Sequence, residues 1–197
     1  MIKLSVLIPS IPSRFDRLIK QFKLLETLAG VGPVEILAFT DNKKRSIGLK
    51  RDALVQLARG EYLAFVDDDD EVYENYIDAM LQGCQSGADV IAIRQHATIN
   101  GANKFEVDFS RVFPNEEAHQ NAEGVWQNVR RQPFHTCAWK ALIAKQHHFP
   151  DASYGEDWHW CKRVLGDTKN EHTINIPLLC YHWDEKVTEA EPVFPED

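Results

Sequence analysis

The sequence predicts an α/β fold with a doubly wound, mostly parallel sheet. Three observations carry this. Short apolar runs at residues 4–8, 34–39, 62–66 and 90–93 have the length and composition of buried strands. Between them lie segments of helical periodicity long enough to act as crossovers. Polar clusters at residues 10–14, 40–42 and 67–70 fall at the C-terminal ends of the first three runs, the edge at which such sheets bind ligands.

Taken in order, the first run ends at Pro9, and the loop after it holds a second proline, Pro12. Ser13 is placed to cap a helix in which Leu18, Ile19, Phe22 and Leu25 recur on one face. Gly30 to Pro33 end that helix before the second run. Ser46 begins another helix, expected to pack through Leu49, Ala53, Leu54 and Leu57, and Gly60 stops it. The third run enters Asp67-Asp68-Asp69-Asp70 directly, and a helix bearing Tyr76, Ile77, Met80, Leu81 and Cys84 follows. The second half is less regular. Asn100-Gly101 signals a hairpin between 97–99 and 105–107. Residues 111–135 are polar, with Trp126 and Phe134 as isolated anchors. Short helices are expected at 138–146 and 156–165, then two short strands at 173–176 and 179–182, then an acidic tail.

With 197 residues and 44% hydrophobic content, the chain is read as a single domain. Residues 1–94 form its regular half, 95–185 a less regular half and 186–197 a loosely held tail. No apolar run approaches the roughly 20 residues that span a bilayer, and the N-terminus lacks a signal-peptide pattern. The expectation is a cytoplasmic protein without a transmembrane segment. Cys84, Cys137, Cys161 and Cys180 form no CxxC pair, which argues for reduced, buried thiols over a zinc site or disulfide scaffold. A net charge of −8 disfavours nonspecific nucleic-acid binding. The best basic patch is Lys43-Lys44-Arg45 with Lys50-Arg51.

Four adjacent carboxylates at a buried strand's end repel one another. Acids at a helix N-terminus are favourable in ones, not fours. A divalent cation removes the repulsion, and oxygen ligands select Mn²⁺ or Mg²⁺. In Tyr154-Gly155-Glu156-Asp157-Trp158 a glycine and two acids open a helix. They serve either as caps or, beside a site, as a general base. His182 is a packed histidine or a further metal ligand. His147-His148 reads as a helix C-terminus. His135-Thr136-Cys137 puts a thiol beside a histidine, but adjacent residues rarely cooperate in nucleophilic catalysis, so a cysteine hydrolase is set aside.

Several segments together resemble the inverting family 2 glycosyltransferases with the GT-A fold. Residues 4–10 are similar to that family's opening strand, and 46–54 to its Gly…Arg-Asn helix start, with Asp52 where asparagine is usual. Ala58-Arg59-Gly60-Glu61-Tyr62 running into Asp67-Asp68-Asp69-Asp70 resembles its approach to the Asp-x-Asp motif, and Gly155-Glu156-Asp157-Trp158 its Glu-Asp motif. The resemblance implies a nucleotide pocket lined by Pro9, Ser10 and Arg14, with Asp41 on the base and Arg51 near base or diphosphate. It implies Asp67 and Asp68 toward the donor's ribose or sugar, and a cation held by Asp69, with Asp70 and His182 as further ligands. Asp157 is then the general base, with Glu156 beside it. The resemblance further implies that residues 1–94 bind the nucleotide sugar and that 95–185 hold the acceptor and catalytic region. Asp41 lacks the acid that usually follows it.

The activity implied by the resemblance is that of a metal-dependent inverting transferase using a nucleotide-sugar donor, a UDP-sugar being favoured. The acceptor is left open among saccharides, lipid-linked sugars, small molecules, protein side chains and modified nucleic-acid bases. The short chain is compatible with a homodimer. Two rival readings share the fold class. A sugar-phosphate nucleotidyltransferase usually has a glycine-rich loop after its first strand, and residues 10–14 hold no glycine. A non-catalytic nucleotide-sugar-binding domain has no need of Glu156-Asp157.

Overall fold

The structure, a computed structural model, describes residues 1–184; the expected tail from residue 186 lies outside them. Strand β1 (Leu4–Ser10) is buried along its whole length. The chain then makes a 3-10 turn at Pro12–Arg14 and enters α1 (Phe15–Ala29), which buries Leu18, Gln21 and Leu25. Ser13 lies inside that turn and makes no cap, because Pro12 has already started the helical path one residue earlier. Next come β2 (Val34–Thr40) and α2 (Ile47–Leu57), the latter capped by Ser46 Oγ, which accepts from Leu49 N at 3.1 Å.

The inner face of α2 differs from the expected one. Leu54 is buried, but Leu49 and Leu57 are exposed, and the buried positions are Gly48, Lys50, Arg51, Leu54 and Val55. Two cations replace leucines on that face because carboxylates await them there. Gly48 is needed for the close fit. A Cβ on it would sit 2.0 Å from the Pro150 carbonyl oxygen, and its own N–H donates to Ala152 O at 2.9 Å.

Next along the chain are β3 (Tyr62–Phe65), β4 (Glu71–Val72) and α3 (Tyr76–Cys84). Strand β5 (Val90–Ile99) turns at Asn100 and Gly101, both with positive φ, into antiparallel β6 (Phe105–Phe109). Beyond β7 (Val129–Arg131), the helix expected over 138–146 resolves into β8 (Ala138–Lys140) and a single turn, α4 (Ala141–Ala144). Ala138 and Trp139 are fully buried; Trp139 pairs with both β3 and β5 and Ala138 with β5, so sheet pairing overrides local helical preference. Helix α5 (Glu156–Asp167) follows, and β9 (Glu171–Trp183) joins the two expected late strands into one, with register irregularities where Arg94 meets Pro177.

Across the sheet the order is β2-β1-β3-β8-β5-β6-β7, with β9 paired to β5 and β4 to β9. Strands β2, β1, β3, β5 and β9 run in one direction, with β8 inserted antiparallel between β3 and β5. Beneath the strand ends, Phe149 stacks on Trp160 at 4.6 Å while Phe65 meets both edge-on. This aromatic cluster fixes the start of α5 against the end of β3. All four cysteines are free and buried. Among the described residues, no helix is long and apolar enough to cross a membrane.

Candidate active site

Burial of the β3 backbone leads directly into the acidic turn, closed by Asp70 N donating to Asp67 O at 3.1 Å. The four carboxylates then take different environments. Asp67 accepts from Arg51 Nη2 at 2.9 Å, and its Oδ1 is buried without a hydrogen-bond partner. Asp68 accepts from Ser10 Oγ at 2.6 Å and Arg14 Nη1 at 2.9 Å. Asp69 lies 3.0 Å from Arg14 Nη1 and lines the cavity. Asp70 is buried and turns toward backbone, accepting from Asp67 N at 3.4 Å and His182 N at 3.3 Å. Asp70 thus stitches the acidic turn to β9 and lies outside the cavity lining.

These environments set opposite charge preferences. Burial pushes the Asp67 carboxyl up, but Arg51 and His135 outweigh it and hold the group well below its usual range. Burial and the neighbouring Asp67 push Asp69 up to about 6, against the pull of Arg14. Burial with Asp67 and Asp69 drives Asp70 well above its ordinary value. The turn therefore holds two carboxyls whose ionisation is opposed first by burial and then by their acidic neighbours.

Arg51 reaches the site from α2. Its Nε donates to Glu156 at 3.2 Å, its guanidinium lies 5.0 Å from the Phe65 ring centre, and Nη1 is buried without a partner. Burial works against its charge, yet Asp67, Glu156 and Asp157 keep it firmly ionised. Glu156 and Asp157 occupy the first turn of α5 behind Gly155, whose φ of 72° glycine adopts without strain. Burial raises Glu156 despite Arg51. Burial also opposes ionisation of Asp157, but His135 and Arg51 lower it below its usual value, so it is a carboxylate at neutral pH. Its Oδ1 accepts from Trp158 N at 2.7 Å.

One cavity of about 900 Å³ gathers these groups, within the size range of ligand sites. Pro9, Ser10, Arg14, Arg51, Asp67, Asp68, Asp69, Glu156, Asp157 and His182 all line it. Asp41 stands behind that lining, 3.0 Å from the Nζ of Lys50, which lines the cavity. Lys43, Lys44 and Arg45 form part of the wall beside them. His182 Nδ1 lies 2.8 Å from Thr98 Oγ1. Burial pulls the His182 pKa down, with Glu71 opposing and Lys104 and Arg17 assisting, which favours a neutral imidazole. Asp52 faces elsewhere, accepting from Phe149 N at 3.1 Å beside His148. The opposite wall comes from β5, β6 and β7, with Ala97, Phe105, Val107 and Val129 among its residues. Among the described residues, no three His, Cys, Asp or Glu side chains already form a metal-ligand group.

Sequence reasoning weighed His135 only as a neighbour of Cys137 and gave it no role in the site. Its side chain has no exposure, and it lies between two carboxylates, with Nε2 3.5 Å from Asp67 and Nδ1 3.2 Å from Asp157. The one sequence signal was its setting, since a histidine within an apolar stretch must find buried polar partners. Cys137 beside it is buried, and burial pushes its thiol up to about 12, which leaves it inert at neutral pH.

The fold and this strand-tip cleft define the GT-A class of glycosyltransferase architecture. The profile of Glycosyl transferase family 2 matches residues 23–145, more than half of the chain, and the chain belongs to that family. Among solved structures, S. aureus TarS 1-349 in complex with UDP-GlcNAc superposes with a TM-score of 0.64 at 14% identity, covering 97% of this chain and 62% of that one. The same protein in complex with UDP gives 0.61 at 14% identity, covering 92% and 60%. A longer S. aureus TarS structure gives 0.60 at 14% identity, covering 92% and 37%. These likenesses show the fold. The chain spans less than two thirds of the length of each of these structures. Comparison with curated proteins returns no match.

Proposed function

We propose that this chain is a metal-dependent, inverting glycosyltransferase that moves a sugar from a UDP-sugar to an acceptor hydroxyl. The observation that carries the reading is the meeting of Arg51, the acidic turn and Asp157 around one cavity at the strand tips. TarS, a structural likeness, was crystallised with UDP and with UDP-GlcNAc, which supports the choice of nucleotide. Residues 1–94 hold the donor, and the second half shapes the acceptor side.

A divalent cation fits the residues present. Burial and mutual repulsion oppose ionisation of Asp69 and Asp70, and a bound cation would relieve both by favouring the carboxylates. Mg²⁺-type sites often use only one or two protein ligands, with substrate phosphates completing the shell, so the lack of a ready three-ligand group is no obstacle. Asp69 and His182 face the cavity as ligands for Mn²⁺ or Mg²⁺. Asp70 backs them through the His182 backbone. When bound, the cation supplies Lewis-acid stabilisation of charge on the leaving diphosphate.

The remaining steps belong to the chain. Pro9, Ser10 and Arg14 frame the nucleotide, with Asp41 behind them holding Lys50, and Asp67 and Asp68 frame the ribose or sugar. Arg51 contributes fixed positive charge beside the leaving group. Asp157, ionised in its pocket, takes the proton from the acceptor hydroxyl as that oxygen attacks the anomeric carbon from the face opposite the diphosphate. Glu156 anchors Arg51. A thermal-shift panel of nucleotide sugars, with and without Mn²⁺, tests binding, and product analysis tests chemistry. Mn²⁺-dependent release of UDP is the expected result. Release of pyrophosphate makes the chain a nucleotidyltransferase instead, and binding without turnover makes it a binding domain.

A further inference from the structure

We infer that His135 is a positioning residue that donates from both ring nitrogens, holding the acceptor-side carboxylate of Asp157 in register with the donor-side carboxylate of Asp67. This rests on the transferase reading above for its kinetic meaning, though not for its geometry. His135 is not part of the cavity lining, so its influence passes through the residues that are.

Two walls fix the ring. Phe65 N donates to the His135 carbonyl at 3.2 Å, which ties its backbone to the end of β3. Phe134, Phe65 and Tyr181 surround the imidazole with ring centres at 4.6, 6.3 and 6.4 Å. Within that aromatic cage each nitrogen lies near a carboxylate oxygen, Nε2 at 3.5 Å from Asp67 Oδ2 and Nδ1 at 3.2 Å from Asp157 Oδ2. Neither contact is a fully formed hydrogen bond, and neither nitrogen has another partner. Catalytic hydrogen bonds are often long without ligand and tighten in the complex. A ring with an anionic acceptor on each side donates from both nitrogens, because a neutral imidazole would turn a lone pair toward one of them. The raised pKa of His135 agrees with this.

The two anchors are unequal. If His135 is replaced, Asp67 keeps its bond from Arg51 at 2.9 Å. Among the described residues, Asp157 then keeps a backbone N–H on Oδ1, from Trp158, while Oδ2 loses the group that aims it. Loss of His135 therefore acts on the chemical step more than on donor binding. An ångström of misplacement at a reacting group can cost about 100-fold in rate.

The amide nitrogen of asparagine mimics Nδ1, and that of glutamine mimics Nε2. His135→Asn keeps a donor toward Asp157; His135→Gln keeps one toward Asp67. With UDP-GlcNAc and Mn²⁺ as probe, H135Q is expected to lose about 100-fold in kcat with KM within about 3-fold of the parent, and H135N to recover about 10-fold of that loss. Equal losses in the two variants, or a loss carried by KM, overturn the inference. Imidazole ¹⁵N NMR of the ligand-free chain reads the arrangement directly. Protons on both ring nitrogens at neutral pH are expected, with the Nδ1 signal altered in D157N. A ring nitrogen without its proton overturns this inference alone. A parent chain that releases no UDP overturns the transferase reading, and with it the kinetic role.

Discussion

Arg51 and Glu156 stand 105 positions apart in the chain and meet at 3.2 Å inside the site. The contact joins the inner face of α2 to the first turn of α5. Because Arg51 also binds Asp67, one guanidinium spans three elements and sets the spacing between the acidic turn and the second acid pair. Both side chains are almost fully buried, and removing one leaves the other without its counter-charge.

Arg51→Ala is therefore expected to destabilise the fold by about 3–5 kcal/mol, the usual cost of breaking a buried pair from one side. Arg51→Lys keeps the charge but cannot reach Asp67 and Glu156 together with a planar fork, so its loss is smaller and its UDP affinity falls. Urea unfolding measures the first effect and calorimetry with UDP and Mn²⁺ the second. An R51A chain within about 1 kcal/mol of the parent would show that the triad carries little weight.

Asp157→Asn is nearly isosteric and keeps an acceptor oxygen for Trp158 N. It removes the basic oxygen and, with it, the acceptor that faces His135 Nδ1. Transfer is expected to fall by about 10² to 10⁴, with UDP binding within a few-fold of the parent. Unchanged turnover rejects Asp157 as the base. Joint loss of turnover and UDP binding assigns it to the donor pocket instead.

The acidic turn predicts a pH dependence of cation binding. Asp69 is pushed up to about 6 from a reference of 3.8. Without metal, the folded chain holds more protons than the unfolded chain between those values, so this group's contribution to stability falls as pH rises across that window. Mn²⁺ binds the carboxylate, so its affinity moves the opposite way and rises as pH passes through about 6. Thermal shifts with Mn²⁺ plus UDP, measured from pH 5 to 7.5, are expected to grow and then level off. Asp69→Asn should flatten the series. A pH-independent shift in the parent chain would remove Asp69 from the cation's shell.

Much of the sheet was legible because its strands are covered on both faces and read as apolar runs. Departures came where tertiary context overruled local pattern. Residues 138–140 carry helical preference yet pair with β3 and β5 because Trp139 must be buried between them. The inner face of α2 was read from its leucines, but Lys50 and Arg51 point inward to Asp41, Asp67 and Glu156. The acids and Arg51 were legible as a set through family likeness, since each sits in a local motif. His135 belongs to no such motif. Its partners lie on two distant elements, and only the folded chain brings Asp67 and Asp157 to either side of its ring.

That ring makes a further prediction about stability and pH. The groups facing it are Asp67 at the end of β3, Asp157 at the start of α5 and Arg51 from α2, with Asp70 and Glu156 also within electrostatic reach and Tyr181 packed beside it. Burial and Arg51 oppose its protonation, but Asp157 and Asp67 outweigh them, and its pKa is pushed up to about 9 from 6.5. The folded state thus binds this proton more tightly than the unfolded state. Its stabilising contribution is complete below about 6.5 and is lost as pH rises through about 9. Other groups titrate nearby, so the informative quantity is the difference between parent and variant. His135→Asn cannot take up this proton, so its stability deficit against the parent should be largest near pH 6 and shrink steadily toward pH 9.5. Urea unfolding of both chains at half-unit intervals across that range measures it. A deficit that stays constant with pH would mean that the folded site holds this proton no more tightly than the unfolded chain does, and a deficit that grows as pH rises from 6 would mean that His135 enters the site as a neutral ring, with Arg51 bearing the positive charge between the two carboxylates without it.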